Sequence, residues 1–223
     1  MDGCRLPAHG VRRYRHIGYN ISCCEYKHLP GGCPLIEQIR SRLSGHQPQK
    51  LHERHDERAR AAVLVPLIAG NETRILFTER SGALDAHGGE VAFPGGREDE
   101  TDPDLVFTAL RENEEEVGIR PAEVEIIGEL RPFISKFGLH VTPLVGVISS
   151  NPDYRPNPDE IASLFEVPLD FFRQVQPIRV DSIARHGESH DVAVYDYDGY
   201  EIWGLTAMIL AEFLRVIEFN QTG

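Results

Sequence analysis

Two glutamates at helical spacing, Glu112 and Glu116, are the residues of this 223-residue chain best suited to holding a metal ion. On a helix, residues i and i+4 share a face with Cβ atoms roughly 5 to 6 Å apart, so the two carboxylates project together. Arg111 and Glu115 form a neighbouring pair on the adjacent face, a cation against an anion. Hard divalent cations prefer oxygen ligands, and Mg²⁺ typically keeps several waters while taking one or two carboxylates plus substrate phosphates. Upstream stands Phe93-Pro94-Gly95-Gly96, where two glycines permit a close backbone approach that could bring a carbonyl oxygen to the same cation. A bare Glu-x-x-x-Glu pair is ordinarily a solvated helix face, and a Pro-Gly-Gly ordinarily a simple turn. Here the arrangement is locally unfavourable, because residues 97 to 116 hold nine acids against Arg97 and Arg111 alone. Like charges at i,i+4 repel, and acids near a helix C-terminus oppose its dipole.

The elements that must position these groups are legible in outline. Thr101 or Asp102 predicts an N-cap and Pro103 a first helical position, Leu105, Ala109 and Leu110 supply an apolar face, and Gly118 ends the helix. A second helix is expected from Pro34 to Leu43, whose apolar residues at 35, 36, 39 and 43 recur at helical spacing before Gly45. Ala61 to Ala69 and Arg74 to Glu79, separated by Gly70-Asn71, predict a hairpin of buried strands, followed by a loop from Ser81 to Gly89. Further strands are expected at Val124 to Leu130, Val141 to Ile148 and Asp191 to Tyr197, with helices at Pro168 to Arg173 and Leu205 to Ile217. Strands interrupted by a few helices, without regular alternation, imply an α+β arrangement around a mixed sheet.

Composition narrows the function. With 41% apolar and 26% charged residues the chain is ordinary globular protein, long enough for a real core. Its net charge of −12 argues against holding a nucleic acid polymer by phosphate neutralisation, so a polyanionic ligand would need a metal ion. No apolar run approaches the ~18 residues that would suggest a membrane span, and none near the start resembles a signal-peptide core, so a soluble, cytoplasmic protein is expected. All four cysteines lie within the first 33 residues and do not match a zinc-ligand pattern, so burial rather than disulfides must hold the main domain, residues 34–223. Residues 1–33 carry Arg5, Arg12, Arg13, Arg15 and Lys27 against Asp2 and Glu25 and lack apolar periodicity. They read as a disordered N-terminal extension. A transit peptide and a segment upstream of the natural start are alternatives, the first weakened by three tyrosines and a Cys pair.

Gly96 to Ile119, GREDETDPDLVFTALRENEEEVGI, resembles the Nudix box of enzymes that hydrolyse nucleoside diphosphates linked to another moiety. The half running Arg111-Glu112-x-x-Glu115-Glu116-x-Gly118 matches residue for residue. Asp102 stands where the general box has Glu, the spacing to Arg111 is one residue longer, and Asn113 occupies a position usually apolar. The first two departures match the coenzyme A diphosphatase-like subfamily. Leu76-Phe77-Thr78-x-Arg80-Ser81, Leu84, and Gly89 to Gly96 resemble that subfamily's segment upstream of the box. Phe165 to Leu169 resembles its strand-to-helix segment, and Ile202-Trp203-Gly204-Leu205-Thr206-Ala207 the start of its last helix. The likeness covers roughly residues 34 to 215. One position differs in kind: Asp85 stands where the subfamily tends to carry Arg.

The resemblance implies a Nudix-type α/β/α sandwich and metal-dependent hydrolysis with Mg²⁺ or Mn²⁺. Coenzyme A or its acyl esters, split into 3',5'-ADP and 4'-phosphopantetheine, is the implied small-molecule substrate. Glu112, Glu116 and the Gly96 carbonyl would be metal ligands, and Arg80 a phosphate contact. Glu115 would be general base or a helper steered by Arg111, the arginine partner favouring the helper role. A base in the Ile134 to His140 loop, which includes His140, is the alternative, and His87 is a further candidate near Arg80. Trp203 is expected in the core, with stacking on an adenine as the minority reading. The Asp85 reversal keeps ADP-ribose or a dinucleotide open as substrate. A non-catalytic Nudix-fold binding module is a third reading, opposed by the intact Glu112, Glu115 and Glu116. The strands after Ser149 contribute either to a homodimer or only to the core.

Overall fold

The computed structural model describes residues 33–48, 59–82, 88–185 and 188–218. The expected N-terminal extension, apart from Cys33, and the loop positions Leu84, Asp85 and His87 lie outside the described residues. The elements run α1 (Pro34–Gly45), β1 (Arg60–Ile68), β2 (Arg74–Arg80), β3 (Val91–Ala92), β4 (Gly95–Arg97), α2 (Leu105–Val117), β5 (Val124–Glu129), β6 (Phe133–Ile134) and β7 (His140–Ile148). They continue with β8 (Ile161–Pro168), α3 (Phe171–Gln174), β9 (Arg179–Arg185), β10 (Glu188–Tyr197), β11 (Tyr200–Ile202) and α4 (Gly204–Val216).

The main sheet is mixed, with spatial order β3-β2-β1-β7-β5, β8 added to β2, β4 to β1 and β6 to β7. Among the described residues only β1 and β7 pair in parallel, from Arg60↔His140 to Ile68↔Ile148; the other pairings are antiparallel. The central place of β1 explains why the 61–69 run is apolar throughout. Alternate residues of a strand point to opposite faces, and both faces of β1 are covered. Ala61, Val65, Leu67 and Ala69 join one core with Ile36, Ile39 and Leu43 of α1 and Ile209, Leu210 and Phe213 of α4. Ala62, Leu64 and Ile68 join the other, with Val106, Ala109, Leu110 and Val117 of α2. The result is the expected helix–sheet–helix sandwich. A smaller antiparallel sheet, β11-β10-β9, lends Val192, Tyr195 and Ile202 to the first core.

Three expectations are corrected. Helix α2 starts later than expected: Asp104 is its N-cap, accepting from the Phe107 N–H at 2.8 Å, and neither Thr101 nor Asp102 fills that place. Pro103 therefore precedes the cap, and Asp102 serves in a side-chain cluster instead. The helix expected from Pro168 is only the single turn Phe171–Gln174, because Pro168 still pairs with Arg74 as the last residue of β8. Trp203 is not in the core but 39% exposed; Ile202, Thr206 and Ala207 are the residues buried at this turn. Strand β9 gives no sequence signal because Val180 is exposed and the strand lacks an apolar run. Among the described residues no helix is long and apolar enough to cross a membrane.

Helix α4 is fastened by a buried carboxylate. Glu212 accepts from Arg215 at 2.8 and 3.0 Å and pairs with Arg131 at 3.3 Å, whose guanidinium lies over the Phe133 ring. Burial opposes the charge of Glu212, but the Arg215 hydrogen bonds and the Arg131 charge prevail and hold it below the usual carboxylate range. A lowered folded-state pKa gives stability that is present above the unfolded value and lost as pH falls through the folded one. Glu212→Gln is therefore expected to lower unfolding free energy by about 1 to 3 kcal/mol at pH 7. The difference from wild type should shrink below about pH 4, as read by urea denaturation across a pH series.

Candidate active site

Packing of α2 against the sheet decides where its acids go. Val106, Ala109, Leu110 and Val117 anchor the helix, and Glu116, one position before Val117, is carried into the interface with only 2% exposure. Its Oε2 accepts from the Gly95 N–H at 3.0 Å and its Oε1 faces Arg80 Nη1 at 3.3 Å. The Pro-Gly-Gly is not a free turn, because Gly95, Gly96 and Arg97 pair with Val63, Ala62 and Ala61 of β1. Gly95 has φ +151, and a Cβ there would overlap the Ala62 carbonyl oxygen and Val63. A Cβ on Gly96 would overlap the Glu112 carboxylate, so the space a side chain would fill is where Glu112 sits.

Arg111 is the hub of the acidic stretch. It donates to Asp102 through Nε at 3.2 Å and Nη2 at 3.1 Å, to Glu115 at 3.2 Å, and to the Arg97 carbonyl at 3.1 Å, and it meets Glu112 at 3.0 Å. The Asp102 side chain is 1% exposed and also accepts from Thr108 Oγ1 at 2.9 Å and the Asp99 N–H at 3.0 Å. Burial works against its charge, but these donors outweigh it and hold Asp102 below the usual range. Arg111 in turn is held more firmly protonated, chiefly by Asp102. The expected Arg111–Glu115 pair is present, yet Asp102 is the principal partner. Asn113 is fully buried and donates its amide to the Ile119 carbonyl at 3.1 Å, so the polar residue at this position satisfies backbone just beyond the helix.

The other end of α2 brings in a residue that sequence reading misses. The last carbonyls of a helix lack intrahelical partners; here the Arg155 and Asn157 N–H groups satisfy those of Val117 and Glu116 at 2.9 and 3.1 Å. Gly118, at φ +83, lets the chain turn there, and its Cα faces Arg155 too closely for a side chain. This 155–160 loop ends at Glu160, whose carbonyl accepts from the Ser81 N–H at 2.7 Å and whose carboxylate meets the Asn157 amide at 3.4 Å. The charge of Glu160 bears on both Glu112 and Glu116. Burial, then the charges of Glu112 and Glu160, push Glu116 up to about 7 despite the Gly95 hydrogen bond and Arg80. Burial likewise raises Glu112, against the pull of Arg111. No spacing rule connects Glu160 to the box; its only signal is an acid at the start of a strand that pairs with the Arg80 strand.

Arg80, Gly95, Gly96, Arg111, Glu112, Glu115 and Glu116 are thus brought together, with Glu115 on the exposed side at 55% side-chain exposure. The Ile134–His140 loop carries Lys136, which pairs with Glu90 at 3.3 Å; His140 itself opens β7. Among the described residues no three acidic, His or Cys side chains form a ready cation cage. The donor chemistry nevertheless suits a hard divalent ion. It offers two carboxylates, a buried Glu116 whose burial outweighs its donors and a Glu112 carboxylate seated against a glycine.

The chain is similar to several known proteins. A family model described as the NUDIX domain matches residues 58–185. Over 177 residues the chain is 42% identical to the protein named "Uncharacterized Nudix hydrolase NudL" of Salmonella paratyphi B, covering 79% of this chain and 92% of that one. The protein of the same name from Salmonella newport is 43% identical over the same shares. Among solved structures, a MutT/nudix family protein from Enterococcus faecalis matches with a TM-score of 0.47 and 16% identity, over 82% of this chain and 70% of that one.

Arg111 is the countercharge to a buried Asp102, and removing one partner of such a pair leaves the other uncompensated. Arg111→Ala is expected to cost about 3 to 5 kcal/mol of unfolding free energy. Arg111→Lys keeps the charge but loses the fork and should fall between that variant and wild type. Denaturant melts of the metal-free proteins read both.

Proposed function

The chain belongs to the Nudix hydrolase family, and on that premise we propose that it is a metal-dependent diphosphatase of coenzyme A or its acyl esters. What supports this reading is the way the upstream segment meets the box. Gly89 to Gly96 resembles the coenzyme A diphosphatase-like group, and its Gly95 N–H binds the Glu116 carboxylate while Gly96 abuts Glu112. The wider reaction class is hydrolysis of nucleoside diphosphates linked to another moiety. The substrate is a small nucleotide in the cytoplasm, not a nucleic acid polymer.

Glu112, Glu116 and the Gly96 carbonyl would hold Mg²⁺ or Mn²⁺. Such a cation, when bound, neutralises phosphate oxygens and lowers the pKa of a water. Arg80, its side chain 29% exposed at the end of β2, binds a phosphate oxygen of the substrate. Water attacks one phosphorus, the bridging P–O bond breaks, and the leaving phosphate carries the electron pair away. Two carboxylates are candidates for the water's proton. Glu115 is braced by Arg111, which suits an orienting role, and Glu160 ends the loop whose Asn157 N–H caps α2 at the Glu116 carbonyl.

The test is product analysis with coenzyme A and Mg²⁺ or Mn²⁺, with ADP-ribose and a diadenosine polyphosphate alongside. Release of 3',5'-ADP by wild type, reduced at least about 10²-fold in Glu116→Gln, is expected. Turnover of ADP-ribose or the dinucleotide but not coenzyme A would replace the substrate and keep the metal site. No turnover of any compound would favour a binding module. Gly96→Ala should fold, because the group its Cβ displaces is the flexible end of Glu112, and should lose activity about as severely as Glu116→Gln.

A further inference from the structure

The Arg80 side chain makes one contact that phosphate binding does not explain. Its Nη1 lies 3.3 Å from Oε1 of Glu116, a carboxylate proposed as a metal ligand and 3% exposed at the side chain. The other oxygen of Glu116 is taken by the Gly95 N–H at 3.0 Å. The arginine is aimed there by the sheet. Pairing between β2 and β8 runs in register from Arg74↔Pro168 to Glu79↔Ser163, then shifts so that Arg80 faces Ile161. Such an irregularity in an antiparallel pair redirects a side chain. The backbone around it is fixed: the Arg80 N–H donates to the Glu90 carbonyl at 3.0 Å, and its carbonyl accepts from the Gly89 N–H at 2.9 Å. Only the long side chain is left to move.

A guanidinium and a divalent cation cannot both sit against one buried carboxylate without strong like-charge repulsion. Glu112 already has Arg111 at 3.0 Å, whereas the side-chain cation that meets Glu116 is Arg80. We propose that Arg80 is the resident counter-ion of Glu116, that a divalent cation displaces it, and that the released guanidinium then takes the substrate's diphosphate. Metal and diphosphate binding are thereby coupled through one side chain, and the coupling is reciprocal. This inference rests on the metal-site reading above but not on the identity of the substrate.

Binding of Mn²⁺ alone, followed by calorimetry or by the paramagnetic resonance of the free ion, tests it without any turnover. Arg80→Gln removes the competitor and is expected to bind Mn²⁺ about tenfold more tightly than wild type. Arg80→Lys, which keeps a charge at the same place, should stay near wild type. With Mn²⁺ saturating, ADP as a plain diphosphate should bind Arg80→Gln at least about tenfold more weakly than wild type. Opposite signs for the two ligands are the signature, since a merely structural arginine would leave both unchanged or weaken both. Unchanged or weaker Mn²⁺ binding by Arg80→Gln, with binding still lost in Glu116→Gln, would overturn this inference alone. Equal Mn²⁺ binding by wild type and Glu116→Gln would overturn the metal-site reading and this inference with it. Failure to cleave coenzyme A would touch neither.

Discussion

Carrying the Glu116 carboxylate into the contact between α2 and the sheet is the constraint on which the surrounding structure depends. A buried carboxylate is costly unless donors and countercharge meet it. Here β4 must present the Gly95 N–H, and β2 must deviate from register at Arg80 to offer a cation. The 155–160 loop must also cap the helix that carries the acid. The compensation stays incomplete, because Glu112 and Glu160 add negative charge, and Glu116 is left with a raised proton affinity. A carboxylate held in this way is suited to the divalent cation proposed for it.

The second half of the arrangement is the Arg111 clamp. One guanidinium joins the loop before α2 at Asp102, the end of β4 at the Arg97 carbonyl, and the helix at Glu112 and Glu115. Planar, forked donors suit a centre with this many acceptors in a way that a lysine point charge does not. The clamp also relieves the crowding of acids that the helix would otherwise carry into solvent. Next to it, Arg60 at the start of β1 pairs with Glu98 just beyond β4, so a second arginine takes up another acid of the same stretch.

Much of this is legible in the sequence, and the misses have specific causes. The apolar runs of β1, β2 and β7 are visible because both faces of the sheet are covered, and Gly118 marks the end of α2 by its left-handed backbone. The N-cap is hard to place because residues 99 to 104 offer several side chains with capping chemistry. Asp102 and Asp104 are interchangeable as types, and only the reach of Arg111 and Thr108 separates them. Trp203 departs from expectation because a large aromatic beside a buried strand end is usually interior, whereas here the turn buries its neighbours Ile202, Thr206 and Ala207 instead. Glu160 is invisible because it lies far from Glu116 along the chain, beyond three further strands, and nothing local marks it.

The sequence by itself determined the helix that carries the acids, the faces they share, the glycines beside them and the family whose signature they form. Those are local properties, written in residue type and in short spacings along one element. The tertiary structure alone decided that Glu116 is buried while Glu115 is exposed, that Arg80 meets a carboxylate, and that the loop ending at Glu160 caps the helix at Glu116. Each of these depends on which face of α2 the sheet covers and on strand register, which bring together residues far apart in the chain. Burial and charge act through space, so their balance was fixed only when β2, β4, β8 and α2 met.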